Sequence, residues 1–370
     1  MPSFDIEVPA LSRGLLDRSE DVREPERVTA SWPAAKVLRV GSAGSLPLVT
    51  DGTGTRLVLD DAAGWGQVPP AGAVLLGCID GRHYWAIPAD GDGASILPTA
   101  LPPVSVPPVS VPPVSVPPVS SPSPSLLVES ASLPSPSTPS TASPSTSLLV
   151  ESTSPPSSLS LSAPTTTTGT IRSAGPLLAD DEAALATTAV ALLGWHAGAA
   201  FCSRCGQPTT ADPTGHSRSC PSGHQEFPRT DPAVIVLVHD GAGNAVLARQ
   251  PSWAPGRFSV LAGFAEAGES LEATVVREIG EEIGVQVGDV EYLGSQPWPF
   301  PRSLMIAFAA RAPRGALLRP RPGEIEQARW FSRDRLRALL EGRGDGVEPV
   351  TLPDSISIAR RMVEGFVRAG

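Results

Sequence analysis

The sequence has little of what marks membrane proteins and broad nucleic-acid binders. It contains 28 basic residues against 38 acidic ones, and the net charge of −10 argues against a broad electrostatic grip on nucleic acid. The most apolar stretch, residues 183–201, contains Thr187, Thr188 and His196, which favours a packed helix over a membrane span. Residues 1–26 carry charges where a signal peptide needs an apolar core. These absences predict a soluble, cytoplasmic protein with no membrane partner.

Cysteine is also scarce, with four residues in the chain. Two of them are separated by two residues and followed by a glycine, which is half of a zinc knuckle. The other half is irregular, because Gly223 stands where a second cysteine is expected. We predict one Cys₃His structural zinc site, with ligands Cys202, Cys205, Cys220 and His224. His216 is a weaker candidate for the fourth ligand, and the alternative is a ribbon that has lost its metal. Cys78 is an ordinary buried or free thiol.

Proline is abundant, with 42 residues, and it divides the chain. Repeats of the VPPVS type occupy residues 101–120, and SLLVES occurs at 125–130 and again at 147–152. Such a segment favours polyproline II and has too few large apolar residues for a core or a stacked solenoid, so an extended, disordered insertion is expected. Binding of SH3-like partners is a less favoured alternative. The predicted domains are a β-rich region (1–96), the insertion (97–170), a helical segment (171–200), a zinc ribbon (201–229) and a C-terminal domain (230–370).

The last part of the chain has the pattern of a mixed sheet with flanking helices, of the α+β or α/β class. Asp240 to Asn244 have the composition of a hairpin turn between two apolar runs. Strands are predicted at 233–239, 245–249, 258–262, 292–293, 304–310 and 328–331. Helices are predicted at 271–283, at 355–369 and, before the ribbon, from Asp180 to about Gly198.

Residues 263–285, GFAEAGESLEATVVREIGEEIGV, carry the chemistry. Ser270 is a plausible N-cap and Gly284 a plausible C-terminal cap of a helix with apolar residues at 271, 275, 279 and 283. Glu278, Glu281 and Glu282 share one flank of that helix. Because like charges at this spacing repel, a cluster of this kind favours hard divalent cations such as Mg²⁺ or Mn²⁺. Arg277 can pair with Glu281 and reach back to Glu269. The alternative is a solvated acidic helix face, which the joint spacing of glycine, glutamate and arginine disfavours.

The pattern as a whole resembles the Nudix hydrolases. Residues 295–305, SQPWPFPRSLM, form a stiff proline-rich segment after the catalytic helix, and Phe227-Pro228-Arg229 ends the ribbon. Together with the motif at 263–285, the Nudix box, these two segments resemble the NADH pyrophosphatase (NAD⁺ diphosphatase) family over about residues 180–368. The missing fourth zinc cysteine and the insertion depart from that family.

The resemblance implies roles for particular residues. The catalytic and Mg²⁺ or Mn²⁺ site would comprise Glu269, Arg277, Glu278, Glu281, Glu282 and Glu324, with Glu326 an open alternative to Glu324. The substrate contacts would comprise Phe227, Phe264, Gln296, Trp298, Ser303 and Met305. Phe227 would come from the partner subunit of a homodimer and, with Phe264, would sandwich a base of the dinucleotide.

The expected reaction is metal-dependent hydrolysis of the diphosphate of NADH or NAD⁺ to a nicotinamide mononucleotide and AMP. A glutamate of the 281/282 pair would orient or deprotonate the attacking water. NAD-capped RNA contains the same bond and is an alternative substrate. Further alternatives are a Nudix hydrolase of ADP-ribose or diadenosine polyphosphate, and a non-catalytic nucleotide-binding regulator, which the complete set of box carboxylates disfavours.

Overall fold

The N-terminal region contains two small sheets. In the computed structural model, residues 4–89, 164–344 and 349–370 are described. One sheet has the strand order β4-β1-β6-β5 and the other β3-β2-β7. The strands are β1 (Lys36–Val40), β2 (Ser45–Asp51), β3 (Gly54–Leu57), β4 (Leu59–Asp61), β5 (Val74–Ile79), β6 (Arg82–Pro88) and β7 (Thr165–Thr170), and the helices are α1 (Pro25–Ser31), α2 (Ile171–Ala174) and α3 (Asp180–Gly198). The predicted β-rich character of the region and the predicted helix before the ribbon are both present.

Strand β7 corrects the predicted end of the insertion. Its six residues, TTTTGT, pair antiparallel with β2, from Thr165 opposite Thr50 to Thr170 opposite Ser45. The prediction counted these threonines as part of a disordered segment, but β-branched threonine favours strands once a partner strand is present. The disorder predicted for 97–170 is therefore wrong for Thr165–Thr170. Most of that segment, residues 97–163, lies outside the described residues.

A third, short sheet forms the ribbon that follows α3. Its strands pair antiparallel in the order β10-β9-β8. They are β8 (Thr210–Ala211), β9 (Arg218–Ser219) and β10 (Gln225–Glu226). Strands of two residues bury almost no apolar surface, so this unit depends on something other than a hydrophobic core.

The C-terminal region is a mixed sheet with helices on both faces. The strand order is β14-β15-β11-β12-β16, and β13 pairs with β11. Strands β11 and β15 are parallel, whereas the other pairs are antiparallel. The elements are β11 (Asp231–His239), β12 (Asn244–Arg249), β13 (Leu261–Phe264), α4 (Leu271–Ile283), β14 (Gly288–Trp298), β15 (Ser303–Arg311), β16 (Gln327–Ser332), α5 (Arg333–Leu340) and α6 (Ile358–Arg368). The predicted mixed sheet is confirmed, although β13 begins three residues later than predicted.

Alternation along β11 determines which helix lies on which face. Val234 and Val236 are fully buried in one core, together with Val275 and Ile279 of α4. The alternate residues Ile235 and Leu237 enter a second core, which contains Met362, Val363 and Phe366 of α6. Successive side chains of a strand point to opposite faces, so a continuous apolar strand is required between two helical layers. The buried strand β11 therefore fixes α4, the predicted catalytic helix, on one side of the sheet.

The N-terminal residues belong to the C-terminal core, which the predicted boundary at residue 96 did not anticipate. Phe4 is 5% exposed and packs edge-on against Phe366 with ring centroids 6.0 Å apart. Glu7 forms ion pairs with Arg361 and Arg368. Among the described residues, no helix is both long enough and apolar enough to cross a membrane.

Candidate active site and zinc ribbon

Helix α4 begins and ends where its local sequence dictates. The hydroxyl of Ser270 accepts a hydrogen bond from the backbone N–H of Ala273 at 3.2 Å, which is an N-cap. Gly284 has φ 68°, the left-handed conformation that glycine adopts without a Cβ clash. Val275, Ile279 and Ile283 have no exposed surface. These features fix the rotation of α4 about its axis, and hence the direction of its glutamates.

Arg277 ties the loop before α4 to the helix. Its guanidinium donates from Nε and Nη2 to the two carboxylate oxygens of Glu269, both at 2.8 Å, and from Nη2 to the carbonyl of Phe264 at 3.0 Å. It also reaches Glu278 at 3.0 Å and Glu281 at 3.8 Å. The hydrogen bonds from Arg277 lower the pKa of Glu269 to about 2. Glu269 is therefore an anion at neutral pH and holds Arg277 in place. This is the contact between Arg277 and Glu269 that the sequence predicted.

Glu278 and Glu282 place carboxylates in a shielded environment. A Cβ at Gly263 would overlap the carboxyl group of Glu278, so β13 and α4 can approach this closely only at a glycine. Glu282 is 3% exposed, and its Oε2 is buried with no hydrogen-bond partner among the described residues. Burial, followed by the charges of Glu278 and Glu324, raises the pKa of Glu282 to about 8. Burial also raises the pKa of Glu278. A divalent cation would relieve the cost of these buried charges, and oxygen donors are the ligands that Mg²⁺ and Mn²⁺ prefer.

The segment after β15 separates the two candidate acids Glu324 and Glu326. Glu324 shares the guanidinium of Arg321 with Glu281 of the cluster, at 3.6 and 3.3 Å respectively. Glu326 instead forms an ion pair with Arg249, whose side chain is 8% exposed. Ile325 between them is buried in the core under α4, and the two acids lie in the irregular segment before β16, where each has a different arginine partner. The geometry favours Glu324 over Glu326 as a further acidic ligand.

Two arginines of this region were not identified from the sequence. Arg321 lies between Glu281, at 3.3 Å, and Glu324, at 3.6 Å, and its backbone N–H donates to the carbonyl of Glu282. Arg249 donates to the carbonyl of Trp253 as well as pairing with Glu326. The sequence does show that Arg249 is the one charged residue at the end of an otherwise apolar strand at 245–249, and this position could have marked it as a residue with a specific partner. Its ion-pair partner Glu326 is distant in sequence, so the local pattern did not reveal that interaction.

Three of the six predicted substrate residues, Phe264, Ser303 and Met305, lie on β13 and β15 at one end of the sheet. Ala233 of β11 pairs with Phe264 on one side and with Met305 on the other, so the three side chains form a row across the sheet. Ser303 is opposite Asp231, two residues earlier in the same register. Phe264 is 58% exposed, which leaves its ring available for stacking. The carbonyl of Phe264 is bound by Arg277, so this row adjoins the glutamate helix.

Gln296 and Trp298 lie on the adjacent strand β14, opposite Met305 and Ser303, but their side chains make other contacts. Residues 295–298 belong to strand β14, so the segment predicted as a stiff loop is largely a strand with a short turn. Gln296 has no exposed surface. Its side-chain Nε2 donates a hydrogen bond to the carbonyl of Ile356, and its Oε1 accepts one from the N–H of Ile358, both at 2.7 Å. Both ends of its amide are thereby used at the start of α6.

Trp298 is the last residue of β14, and its side chain packs against residues that follow the strand and against the N-terminal region. Its ring contacts Phe300 edge-on at 5.0 Å, and both rings lie under the guanidinium of Arg172 from α2, at 4.9 and 4.0 Å. The two aromatics also adjoin the core of the N-terminal region. This corresponds to a proline-braced turn with half-buried aromatics. Phe227, the remaining predicted contact, follows the ribbon and is 62% exposed.

The ribbon brings its four predicted ligands together. The donor atoms of Cys202, Cys205, Cys220 and His224 all lie within 4.8 Å of one another. Cys202 Sγ is 3.5 Å from His224 Nδ1, and Cys205 Sγ is 3.7 Å from Cys220 Sγ. A tetrahedral zinc ion with ordinary bond lengths separates its ligands by about 3.5 to 3.8 Å, so these distances fit zinc.

The irregular half of the ribbon has a simple geometric reason. The N–H of Gly206 donates to the carbonyl of Cys202, four residues earlier, whereas that of Gly223 donates to the carbonyl of Cys220, three residues earlier, so the two turns differ by one residue. The fourth ligand comes one residue later in the second turn, and the longer imidazole side chain of His224 still reaches the site. His216, the weaker candidate, is not part of the cluster, because its ring bonds the carbonyl of Leu75 at 2.9 Å.

Comparison with known proteins agrees with this architecture. A mixed sheet between helices, with an arginine and clustered glutamates on the helix that follows β13, defines a Nudix hydrolase. The profile described as NUDIX domain matches residues 229–350, and that described as NADH pyrophosphatase zinc ribbon domain matches residues 199–226. A Nudix hydrolase structure from Nitrosomonas europaea is 21% identical, covers 41% of this chain and 96% of its own, and has a TM-score of 0.31, which carries no weight here.

The most informative relatives are curated proteins. The NAD-capped RNA hydrolase NudC of Mycobacterium tuberculosis is 39% identical over 366 residues, which cover 97% of this chain and 95% of that protein. The mitochondrial NAD(P)H pyrophosphatase NUDT13 of Mus musculus is 42% identical over 195 residues, or 50% of this chain and 55% of that protein. The chain therefore belongs to the Nudix hydrolases, in the NADH pyrophosphatase family that carries a zinc ribbon.

Proposed function

We propose that this protein hydrolyses the diphosphate bond of NADH or NAD⁺ to a nicotinamide mononucleotide and AMP, and that it also removes NAD caps from RNA. The carrying observation is the shielded carboxylate of Glu282 beside Glu278 and Glu324, with an oxygen that has no hydrogen-bond partner among the described residues. The names of the mycobacterial and mouse relatives supply the substrate class. A cytoplasmic location is part of the same proposal.

Glu278, Glu281, Glu282 and Glu324 would hold Mg²⁺ or Mn²⁺. When bound, such ions neutralise charge on diphosphate oxygens and lower the pKa of a bound water. In this chain Arg277 fixes the direction of Glu278 and pairs at longer range with Glu281. Glu281 is half exposed and Glu282 is buried, so Glu281 is the more accessible member of the pair to orient or deprotonate a water.

On the substrate side, we assign base stacking to Phe264, with Met305 and Ser303 beside it at the same end of the sheet. Phe227 would complete the stack from the partner subunit of a homodimer. In support, both Phe201 and Phe227 of the ribbon are more than 60% exposed, at 66% and 62%. Two exposed phenylalanines on one small unit indicate a surface that contacts another protein chain, because a surface facing only solvent rarely carries such apolar side chains together. Gln296 and Trp298 support the site through α6 and α2.

Product analysis tests the proposal. The purified protein is incubated with NADH, NAD⁺ and NAD-capped RNA, with and without Mn²⁺, and the products are separated chromatographically. We expect AMP and a nicotinamide mononucleotide from the free dinucleotides, and 5′-monophosphate RNA from the capped substrate. Faster cleavage of ADP-ribose or a diadenosine polyphosphate would assign a different Nudix activity. Binding without turnover of any of these compounds would indicate the non-catalytic regulator.

A further inference from the structure

Two exposed arginines share one carboxylate at the substrate end of the sheet. Arg229 donates from Nε to Oδ1 of Asp231 at 2.6 Å, and Arg302 donates from Nε to Oδ2 of the same residue at 2.8 Å. The side chain of Asp231 is 23% exposed, whereas Arg229 and Arg302 are 70% and 48% exposed. Neither guanidinium has another hydrogen-bond or ion-pair partner in the described parts of the chain. Two positive charges against one negative charge leave a local excess of +1.

The position of this pair relates it to the site. Asp231 is the first residue of β11 and lies opposite Ser303, the first residue of β15. Ala233, two residues further along β11, is opposite Phe264. Asp231, which holds the two arginines, is therefore about 7 Å along the strand from the row that contains the exposed Phe264 ring. Exposed aromatic rings combined with arginine are the composition of surfaces that bind single-stranded nucleic acid. Exposed ion pairs contribute little to stability, so stability does not account for holding two arginines side by side.

We propose, on the basis of the function proposed above, that Arg229 and Arg302 bind a phosphate on the adenosine ribose of the substrate, namely the first phosphodiester of an NAD-capped RNA. In such an RNA the 3′ oxygen of the NAD adenosine carries a phosphodiester, and in NADPH the 2′ oxygen carries a phosphate. NADH has neither group. The terminal nitrogens of both guanidiniums make no hydrogen bond within the described residues, and planar guanidinium edges suit phosphate oxygens. In a protein of net charge −10, such a local basic pair gives RNA a defined point of contact.

The test compares a double variant, Arg229→Gln with Arg302→Gln, with a matched control, Arg311→Gln. Arg311 is the last residue of β15, the strand that begins directly after Arg302; it is 56% exposed and pairs with the exposed Asp289. It lies eight residues from Ser303, about 26 Å away, so its removal deletes an equivalent surface charge far from the proposed phosphate site. The kcat/KM values are measured for NADH, NADPH and NAD-capped RNA at several salt concentrations.

For the double variant we expect the ratio of kcat/KM for NAD-capped RNA to that for NADH to fall about tenfold. Its salt dependence should be shallower by about 0.7 for each phosphate that the arginines no longer neutralise. The ratio for Arg311→Gln should match the parent. A fall for NADPH but not for RNA would place the phosphate site at the 2′ oxygen and overturn the RNA assignment. An equal decrease in kcat/KM on all three substrates would also overturn it.

A binding measurement separates this inference from the proposed function. A parent protein that cleaves neither NADH nor NAD-capped RNA would defeat the proposed function. Fluorescence anisotropy of a labelled NAD-capped RNA in Ca²⁺ then still reports on the arginines. Weaker binding by the double variant than by Arg311→Gln supports the role of the arginines, and equal binding by the two variants overturns it.

Discussion

Burial makes Glu282 the most informative single residue of the site. A carboxyl group that is 3% exposed is costly to ionise unless something pairs with it. Glu282→Gln keeps the size of the side chain and removes the charge, so the fold should survive while kcat for NADH falls by at least about 10²-fold. Initial rates at saturating Mn²⁺ together with circular dichroism would measure both properties.

A control for this variant lies on the same helix. Glu272 is in the first turn of α4 and is exposed, so Glu272→Gln should keep near-parental activity. If Glu278→Gln, Glu281→Gln and Glu282→Gln each retained normal NADH cleavage, the assignment of the metal site to α4 would be wrong.

Glu324 and Glu326 are two positions apart and should respond differently to the same substitution. Glu324→Gln removes a charge from the glutamate cluster, so we expect about a tenfold decrease in kcat and weaker Mn²⁺ binding. Glu326→Gln weakens the ion pair with the buried guanidinium of Arg249, so it should mainly lower the melting temperature. Mn²⁺ titration followed by electron paramagnetic resonance distinguishes the two effects. A larger decrease in Mn²⁺ affinity in Glu326→Gln would reverse the assignment.

At the scale of elements, the ribbon should depend on its metal for its shape. Strands of two residues supply no core, so the four ligands must hold the turns together. We expect one zinc per chain by inductively coupled plasma mass spectrometry, and a marked decrease in zinc content in Cys202→Ser and in His224→Ala. His216→Ala and Cys78→Ser serve as controls, because neither residue lies in the cluster. Full zinc retention in His224→Ala would remove that residue from the ligand set.

Elements governed by neighbouring residues could be predicted, and those governed by distant partners could not. Helix α4 spans 271–283 as expected, because Ser270 and Gly284 cap it from within the same segment. The four ribbon ligands followed from spacing for the same reason. The start of β13 was displaced, because pairing with β11 and not local composition determines it. The position of Gln296 depends on its hydrogen bond to the carbonyl of Ile356, sixty residues later, and no local pattern records that interaction.

At the scale of the whole molecule, the boundary of the insertion can be tested by two deletions. Removal of residues 101–160 should leave NADH cleavage within a few-fold of the parent, because the entropy of closing a loop changes slowly with its length. Extending the deletion to residue 170 also removes β7 and its six-residue pairing with β2, and should lower the melting temperature by roughly 5 °C or more. Equal stability of the two deletions would show that β7 contributes nothing. Inactivity of the shorter deletion would show that the insertion is structural.

The packing of Phe4 against Phe366 has a consequence for synthesis of the chain. Phe4 leaves the ribosome long before α6, which forms its place in the core and follows it by roughly 360 residues. At translation rates of about 5 to 20 residues per second, the segment around Phe4 must wait roughly 20 to 70 s for that helix. The sheet that carries the site therefore acquires its complete second layer only once α6 has been made. Until then the apolar segment around Phe4 has no place in a core, and it must be shielded from other apolar surfaces by another part of the nascent chain or by a chaperone.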